Sequence, residues 1–147
     1  MRKVDTLRFG QIEVEDDKVL HFAEGLPAFE DEHEFVIIPY DEESPYVFLQ
    51  SLTTPDLAFL MTVPFVFFPE YEFELDDDNQ AKLDIKTQED LLLYVLLTIP
   101  GGKVPEMTAN LMAPLVINRA NMQARQIVLE HSGYTTKHRL FPDKKED

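Results

Sequence analysis

Side chains able to bind a metal ion occur in two acidic stretches of the sequence, at 76–79 and 30–34. The stretch Asp76-Asp77-Asp78-Asn79 resembles the start of a calcium-binding loop. Counting from Asp76, the sixth position is Ala81 where such loops need glycine, and the twelfth is Thr87 where they need glutamate. The stretch Glu30-Asp31-Glu32-His33-Glu34 has one histidine and no second one at ligand spacing, so we interpret it as a solvated loop. Neither stretch predicts a metal site.

Residues for covalent or phosphate chemistry are also missing from the sequence. There is no cysteine, and there is no Gly-x-Ser-x-Gly motif for a serine nucleophile. Gly101-Gly102-Lys103 lacks the spacing and the Ser or Thr of a phosphate-binding loop. The sequence therefore predicts a protein that is not an enzyme and has no cofactor or small-molecule substrate. A hydrolase on a β scaffold is an alternative that a pocket gathering two carboxylates or a perturbed histidine would favour.

Charge is the strongest compositional signal. The 147 residues carry 13 Lys and Arg against 28 Asp and Glu, a net charge of −15. Residues 1–90 hold 6 basic and 23 acidic side chains, and residues 91–147 hold 7 and 5. Such a field repels nucleic acid, whose binding depends on basic side chains, and attracts basic proteins. The longest apolar stretch, Leu91 to Ile99, is too short to span a membrane, so we expect a soluble, cytoplasmic protein.

The elements predicted from the pattern are mostly short strands. Apolar runs rich in Val, Ile, Phe and Tyr are separated by Pro, Gly and acidic turns. The predicted strands and turns are a hairpin across 7–22 with bends at Gly10-Gln11 and Asp16-Asp17, strands at 35–38, 47–51, 57–63, 71–75, 91–99, 107–112, 115–117, 126–129 and 134–140, and short helical segments at 76–83 and 87–90. We predict a mainly β, closed or strongly curled antiparallel barrel-like single domain over 1–141, with one or two short helices and a frayed tail at 142–147.

Two neighbouring groups of residues are candidates for binding a partner protein. Phe65-Val66-Phe67-Phe68-Pro69 places three phenylalanines between two prolines, and on a strand Phe67 and Phe68 would point to opposite faces. An exposed ring there would receive an apolar partner, whereas a ring under a loop would be structural. Carboxylates follow these phenylalanines. They form either an ordinary solvated face or a contact surface on which a basic partner would relieve their mutual repulsion. The candidate contact residues are Phe65, Phe67, Glu70, Glu72, Glu74, Asp76, Asp77 and Asp78.

Several motifs together resemble one protein family. They are Phe22-x-Glu24-Gly25-Leu26-Pro27-Ala28-Phe29-Glu30, Phe48-Leu49-Gln50-Ser51, Ala58-Phe59, Pro69-x-Tyr71, and the run from Thr108 to Asn118 with its Ala-Asn-Leu-x-Ala-Pro core. The sequence resembles the flagellar assembly factor FliW family from about Leu7 to Leu140. Within that run, we expect Asn110 to tie a turn through its side-chain amide.

The resemblance implies a cytoplasmic regulator of bacterial flagellum biogenesis with a β-rich, barrel-like fold. Proteins of the family bind flagellin and also bind CsrA, a basic translational repressor of the flagellin messenger. The resemblance therefore implies a CsrA antagonist, active in translation regulation, from which surplus flagellin releases the repressor. Alternatives are an acidic, chaperone-like binding module for another secreted or basic protein, and mimicry of nucleic acid by a carboxylate array.

Overall fold

The structure, a computed structural model, describes residues 2–26, 29–41, 43–72, 75–129 and 132–141. In chain order its strands are β1 (Arg2–Thr6), β2 (Gly10–Val14), β3 (Leu20–Phe22), β4 (Glu34–Pro39), β5 (Tyr46–Ser51), β6 (Ala58–Thr62), β7 (Leu91–Thr98), β8 (Thr108–Ala109), β9 (Leu115–Asn118), β10 (Gln123–Gln126) and β11 (His138–Arg139). The helix α1 (Asp77–Lys82) precedes β7, and 3-10 turns lie at Asp16–Lys18, Pro64–Val66, Gln88–Asp90, Pro100–Gly102 and Val104–Glu106. The prediction of a mainly β chain with short helices is confirmed.

Seven of these strands close into a barrel. Around the ring the order is β7, β6, β5, β4, β3, β10 and β9, and β9 closes the ring by pairing with β7. Neighbouring strands in the ring are antiparallel except β3 and β10, which run parallel. The strands β8 and β11 extend from β7 outside the ring. The predicted closed barrel is therefore confirmed, with one parallel pair in its wall.

The strands β4 and β7 each carry an uninterrupted apolar run because both faces of these barrel strands pack against other residues. In β4, Phe35 and Ile37 pack inside the barrel, whereas Val36 and Ile38 pack outside it, beneath the β1–β2 hairpin. In β7, the side chains of even-numbered residues from 92 to 96 join the barrel interior, and Leu91 and Leu93 pack on the outside. A strand buried on both faces has no polar side to alternate with. This is why the run from Leu91 forms a strand, as predicted.

Some predicted elements are shifted or absent. The opening hairpin consists of β1 and β2 with its turn at residues 7–9, so the predicted bend at Gly10-Gln11 is wrong and β3 pairs instead with β4 and β10. The strand predicted at 126–129 is found at β10, and the final strand is limited to β11. The described residues between 70 and 76 form no strand, because a turn ends at Glu70 and the backbone amide of Tyr71 donates to the carbonyl of Phe68. The tail at 142–147 lies outside the described residues.

No helix among the described residues has the length and apolar character needed to cross a membrane.

Candidate functional site: an apolar groove beside helix α1

A groove of about 1110 Å³ runs along the outer wall of the barrel between α1 and the Pro64–Val66 turn. Its lining residues are Phe65, Leu75, Asp76, Asp77, Gln80, Ile85, Lys86, Thr87, Leu91 and Leu93. The apolar members other than Phe65 are half-buried and form the floor, whereas Phe65 and the polar members are exposed at the rim. The groove therefore combines an apolar floor with a polar rim.

The floor exists because β7 turns apolar side chains outward. Leu91 and Leu93 pack with Leu75 and Ile85 around a buried cluster outside the barrel, formed by Leu83, Val116 and Ile127. Helix α1 and the segment after it cover only part of this cluster, since no residue within α1 itself is buried. The uncovered apolar strip is the floor of the groove.

Helix α1 is fixed to the barrel from both ends. At its start, the Asp76 carboxylate caps the helix by accepting a hydrogen bond of 2.9 Å from the Asn79 amide, as expected for an N-cap. Arg125 of β10 donates from Nε to Asn79 Oδ1 (3.1 Å) and forms an ion pair with Glu24 (3.0 Å). At its end, the buried Asn118 donates from Nδ2 to the carbonyl of Leu83 (2.9 Å). These bonds hold the acidic rim in a fixed position relative to the floor.

The predicted helical segment beginning near Asp76 is confirmed, and its three aspartates have different roles. Asp76 is the N-cap and Asp78 forms an ion pair of 3.1 Å with Lys82 one turn later. Asp77 is exposed and lines the groove together with Asp76. The structure thus brings two of these carboxylates to the apolar floor and turns the third toward a lysine of its own helix.

Glu70 and Glu72 are both exposed, but they do not lie on one face of a strand as predicted. They belong to a loop that the rings of Tyr71 and Tyr134, here called the aromatic brace, attach to the barrel. The Tyr134 hydroxyl lies 3.2 Å from both the backbone amide and the carbonyl oxygen of Glu72, accepting from the first and donating to the second. Glu74 lies outside the described residues. Glu70 and Glu72 are therefore available for contact, held on a loop instead of a strand.

Tyr71 forms the centre of this brace. Its ring is buried, its hydroxyl donates a hydrogen bond of 2.7 Å to the carbonyl of Leu111, and its ring centroid lies 4.7 Å from that of Tyr134. Burial is the main cause that raises the pKa of the Tyr71 hydroxyl above its ordinary range, and the electrostatic interaction with the neighbouring Tyr134 hydroxyl is the second. The hydroxyl thus stays protonated and keeps its hydrogen bond. Phe65 also packs against Tyr71, with 6.2 Å between ring centroids.

The phenylalanine cluster divides into one exposed ring and two packed rings. Phe65 is 47% exposed at the groove rim, and its neighbour Val66, which the sequence analysis did not single out, is 56% exposed. Phe67 is half-buried, stacks on Tyr46 at 5.9 Å and, like Phe68, packs against the core cluster around Tyr71. The expectation that Phe67 and Phe68 face opposite sides is wrong, because residues 64–66 form a 3-10 turn and not a strand. Phe65, not Phe67, therefore lines the groove.

Two polar side chains outside the groove, those of Glu32 and Asn110, stabilise turns of the fold. Both Glu32 carboxylate oxygens accept hydrogen bonds of 2.5 Å, from Ser51 and Thr54, and so close the turn after β5. Asn110 Oδ1 accepts from the Ala113 amide at 3.0 Å, as predicted for a turn-forming side chain. Within the described ranges, no three His, Asp or Glu side chains are grouped so that they could hold a metal ion.

This fold and groove define a class of protein: a small acidic β-barrel with an open, apolar, carboxylate-rimmed groove on its outer wall. The floor residues Leu75, Ile85 and Leu93 were missed as site residues. Their alternating or isolated positions in the sequence give no sign that they meet at one surface.

Comparison with known proteins identifies the family. The family model described as FliW protein matches residues 3–140. The flagellar assembly factor FliW of Geobacillus kaustophilus (strain HTA426) is 42% identical over 142 residues, which cover 97% of each chain. That of Bacillus subtilis (strain 168) is 43% identical over 135 residues, covering 92% of this chain and 94% of the relative. A crystal structure of the flagellar assembly factor FliW superposes with a TM-score of 0.90 at 40% identity, covering 97% of this chain and 99% of that one. The chain belongs to the FliW family.

Proposed function

We propose that this protein is a non-catalytic, cytoplasmic flagellar assembly factor that binds two proteins in turn: a CsrA-type translational repressor and flagellin. The names of its relatives support the role in flagellar assembly. The observation that carries the binding role is the groove, in which an exposed phenylalanine and two carboxylates border one apolar floor. While this protein is bound to the repressor, repression of flagellin synthesis is relieved. Surplus flagellin then binds this protein and so frees the repressor.

For flagellin, the proposed contact is an amphipathic helix lying in the groove. Helix-in-groove recognition uses apolar anchors about one turn apart, which need a continuous apolar strip as their counterpart. The floor supplies such a strip through Leu91 and Leu93, two positions apart on the outward face of β7. Phe65 at the rim would cover the helix from the side. Basic residues flanking the apolar face of the helix would meet Asp76 and Asp77.

For the repressor, the proposed contact is the acidic loop at Glu70 and Glu72, extended by Asp77. These side chains are exposed, and the brace from Tyr134 to Glu72 keeps the loop in one place. At physiological salt the Debye length is about 8 Å, so carboxylates near the interface dominate the attraction. Repulsion of RNA phosphate by a bound protein of charge −15 would add to the effect on the repressor.

Partner switching is supported by how close the two proposed contacts are. Phe65 of the groove and Tyr71 of the acidic loop are in ring contact, and Glu72 follows directly. A helix seated against Phe65 would therefore reach the loop that we assign to the repressor. Occupation by flagellin would weaken repressor binding at this end of the barrel.

The test is binding of the full chain to purified flagellin and purified repressor from the same bacterium. Phe65→Ala should weaken flagellin binding roughly 30-fold, as expected for an aromatic hot spot of about 2 kcal/mol. Tyr40→Ala is the matched control, because Tyr40 is an aromatic side chain that is 59% exposed and does not line the groove. Equal binding by the Phe65 and Tyr40 variants would refute the groove assignment. Phe67→Ala tests the packed ring that the sequence singled out.

The acidic contact is tested by reversing charge. The double variant Glu70→Lys with Glu72→Lys should slow association with the repressor and flatten its salt dependence. A control with the same net charge reverses Glu89 and Glu106, which are exposed and lie outside the groove and the loop. Unchanged association kinetics in the first variant would remove the assignment. Capture of neither partner by the unmodified protein would favour an acidic chaperone-like module for a different protein.

A further inference from the structure

The wall of the barrel is incomplete beside the second half of β4. On one side β4 pairs with β5 along its whole length, from Phe35 to Pro39. On the other side it pairs with β3 only at Glu34 and Phe35. Beyond that point the chain before β3 is no longer a strand. Residues 16–18 form a 3-10 turn, and Val19 joins this turn to β3. Among the described residues, β4 therefore has a strand neighbour on one side only from Val36 to Pro39.

The direction of the main-chain groups follows from two hydrogen bonds. The carbonyl of Glu34 accepts from Leu52, and the amide of Tyr40 donates to Tyr46, so residues 34 and 40 face β5. Successive residues of a strand point their amides and carbonyls to opposite sides, so Ile37 and Pro39 face the open edge. Pro39 has no amide, a common protection of sheet edges. The open edge thus offers the amide and carbonyl of Ile37 and the carbonyl of Pro39.

A cleft of about 510 Å³ lies along this edge, between β4 and β2. Its lining is mostly apolar and includes Ile37, Pro39 and Met122, with Glu13, Glu15 and Lys18 at the rim. A volume between 300 and 1,000 Å³ is typical of binding sites, and the mouth of a β-barrel is a common place for them. The cleft is separate from the groove beside α1, since no residue lines both.

Two further features bear on which ligand would suit the cleft. Met122, which lines the cleft, has a backbone φ of 61° set by the turn between β9 and β10, in which its amide donates to the carbonyl of Asn118 at 2.7 Å. Its flexible thioether side chain adapts to different apolar contacts. The rim carries two exposed carboxylates, Glu13 and Glu15, and one lysine, Lys18. The rim therefore favours a positively charged ligand.

We propose that this cleft is a strand-addition site, in which an extended segment of a partner protein with alternating apolar and basic residues pairs with β4 at Ile37. The main chain of the segment would bond to Ile37 and Pro39, and its apolar side chains would enter the cleft beside Met122. Its basic side chains would face Glu13 and Glu15. In strand addition, main-chain hydrogen bonds provide the affinity, and the alternate side chains of the added segment provide the specificity.

The experiment uses the full chain, labelled with ¹⁵N, and a capped hexapeptide of alternating lysine and valine. Binding should shift the Ile37 amide resonance and slow its hydrogen exchange at least tenfold. The same peptide with every backbone amide methylated should not bind, because it cannot donate to the Ile37 carbonyl. Glu13→Lys should weaken binding roughly three- to fivefold at physiological salt, as expected for one exposed charge.

Glu89→Lys is the matched control, since it makes the same charge change at an exposed position away from the cleft. Lys18→Glu should strengthen binding. The proposal is overturned if Ile37 exchange is unchanged at saturating peptide, if the methylated peptide binds equally well, or if the shifts fall on Leu91 and Leu93 instead. Equal weakening by the Glu13 and Glu89 variants would also overturn it, since attraction would then come from net charge alone.

Discussion

Replacing Gly25 by alanine tests why the chain needs glycine at this position, directly before Leu26. Gly25 has a φ of +67°, and a Cβ built on it would lie 2.5 Å from the backbone oxygen of Glu30 and 2.6 Å from its Cα. The Glu30 backbone cannot move without disturbing the turn in which the amide of Phe29 donates to the carbonyl of Leu26 at 2.7 Å. Two separate penalties therefore apply to alanine: a left-handed backbone and a collision with main-chain atoms.

The magnitude follows by adding these penalties. The left-handed conformation costs an L-residue about 1–2 kcal/mol, and overpacking costs a further ~1–3 kcal/mol. Gly10 is the control, because its φ of +69° is nearly the same and a Cβ there would meet no atom of the described residues within 4 Å. Gly10→Ala should therefore show only the first penalty. The two variants should differ by about 1–3 kcal/mol, or about 2–12 °C in Tm for a chain of this length.

The assay is urea unfolding of both variants, followed by far-UV circular dichroism, with thermal scans as a second measurement. Both substitutions lower the entropy of the unfolded chain equally, so that effect cancels in the comparison. Equal destabilisation of the two variants would refute the steric reasoning. A greater loss for Gly10→Ala would show that the hairpin turn, and not the turn at Gly25, is the constrained one.

Two further predictions concern one ion pair and one buried hydroxyl. The hydrogen bond from Arg2 lowers the pKa of Glu34, so its stabilisation is present above the ordinary carboxyl range and is lost as pH falls through the lowered value. Arg2→Gln should therefore cost under ~1 kcal/mol at neutral pH and nothing in acid, measured by urea unfolding at both; an equal cost at both would contradict this. Tyr71→Phe should cost about 1–3 kcal/mol in thermal unfolding, because it leaves the buried Leu111 carbonyl without its donor. Tyr134→Phe, which removes an exposed bond, should cost less, and equal losses would contradict the role of burial.

Strand positions were predictable where the apolar pattern was long and was interrupted by turn residues. The runs at 35–38, 47–51 and 57–63 coincide with β4, β5 and β6 to within a residue or two. Helix α1 was predictable because Asp76 provides a local cap. In these cases, contacts within a few residues decide the conformation.

The segment from Tyr71 to Leu75 was not predictable, although it alternates as a strand does. Tyr71 makes its decisive contact with Leu111, which is distant in sequence. In the described part of the chain, β7 pairs with β9 at 91–94, with β6 at 95–96 and with β8 at 97–98, and none of Tyr71, Glu72 and Leu75 belongs to a strand. The alternating pattern alone therefore does not form a strand at the described residues, and Tyr71 is held instead by its hydrogen bond to Leu111 and its ring contact with Tyr134.

The candidate site was predictable only in part. The sequence placed Phe65 and the carboxylates after it near one another, because they are close along the chain. It could not show that Leu91 and Leu93 face outward and join Leu75 and Ile85, or that Phe67 is packed against Tyr46. These outcomes depend on which side chains of β7 point into the barrel and which point out of it.

By itself the sequence determined the β-rich character, the strong negative charge and the family of this protein, because these depend on residue types and short-range order. The tertiary structure alone decided where the ring closes, which apolar side chains remain at the surface and which edge of β4 is left open. Those features come from pairings such as Leu91 with Asn118, between residues far apart in the chain. Local propensity cannot encode them, since each partner acquires its neighbour only when the barrel forms.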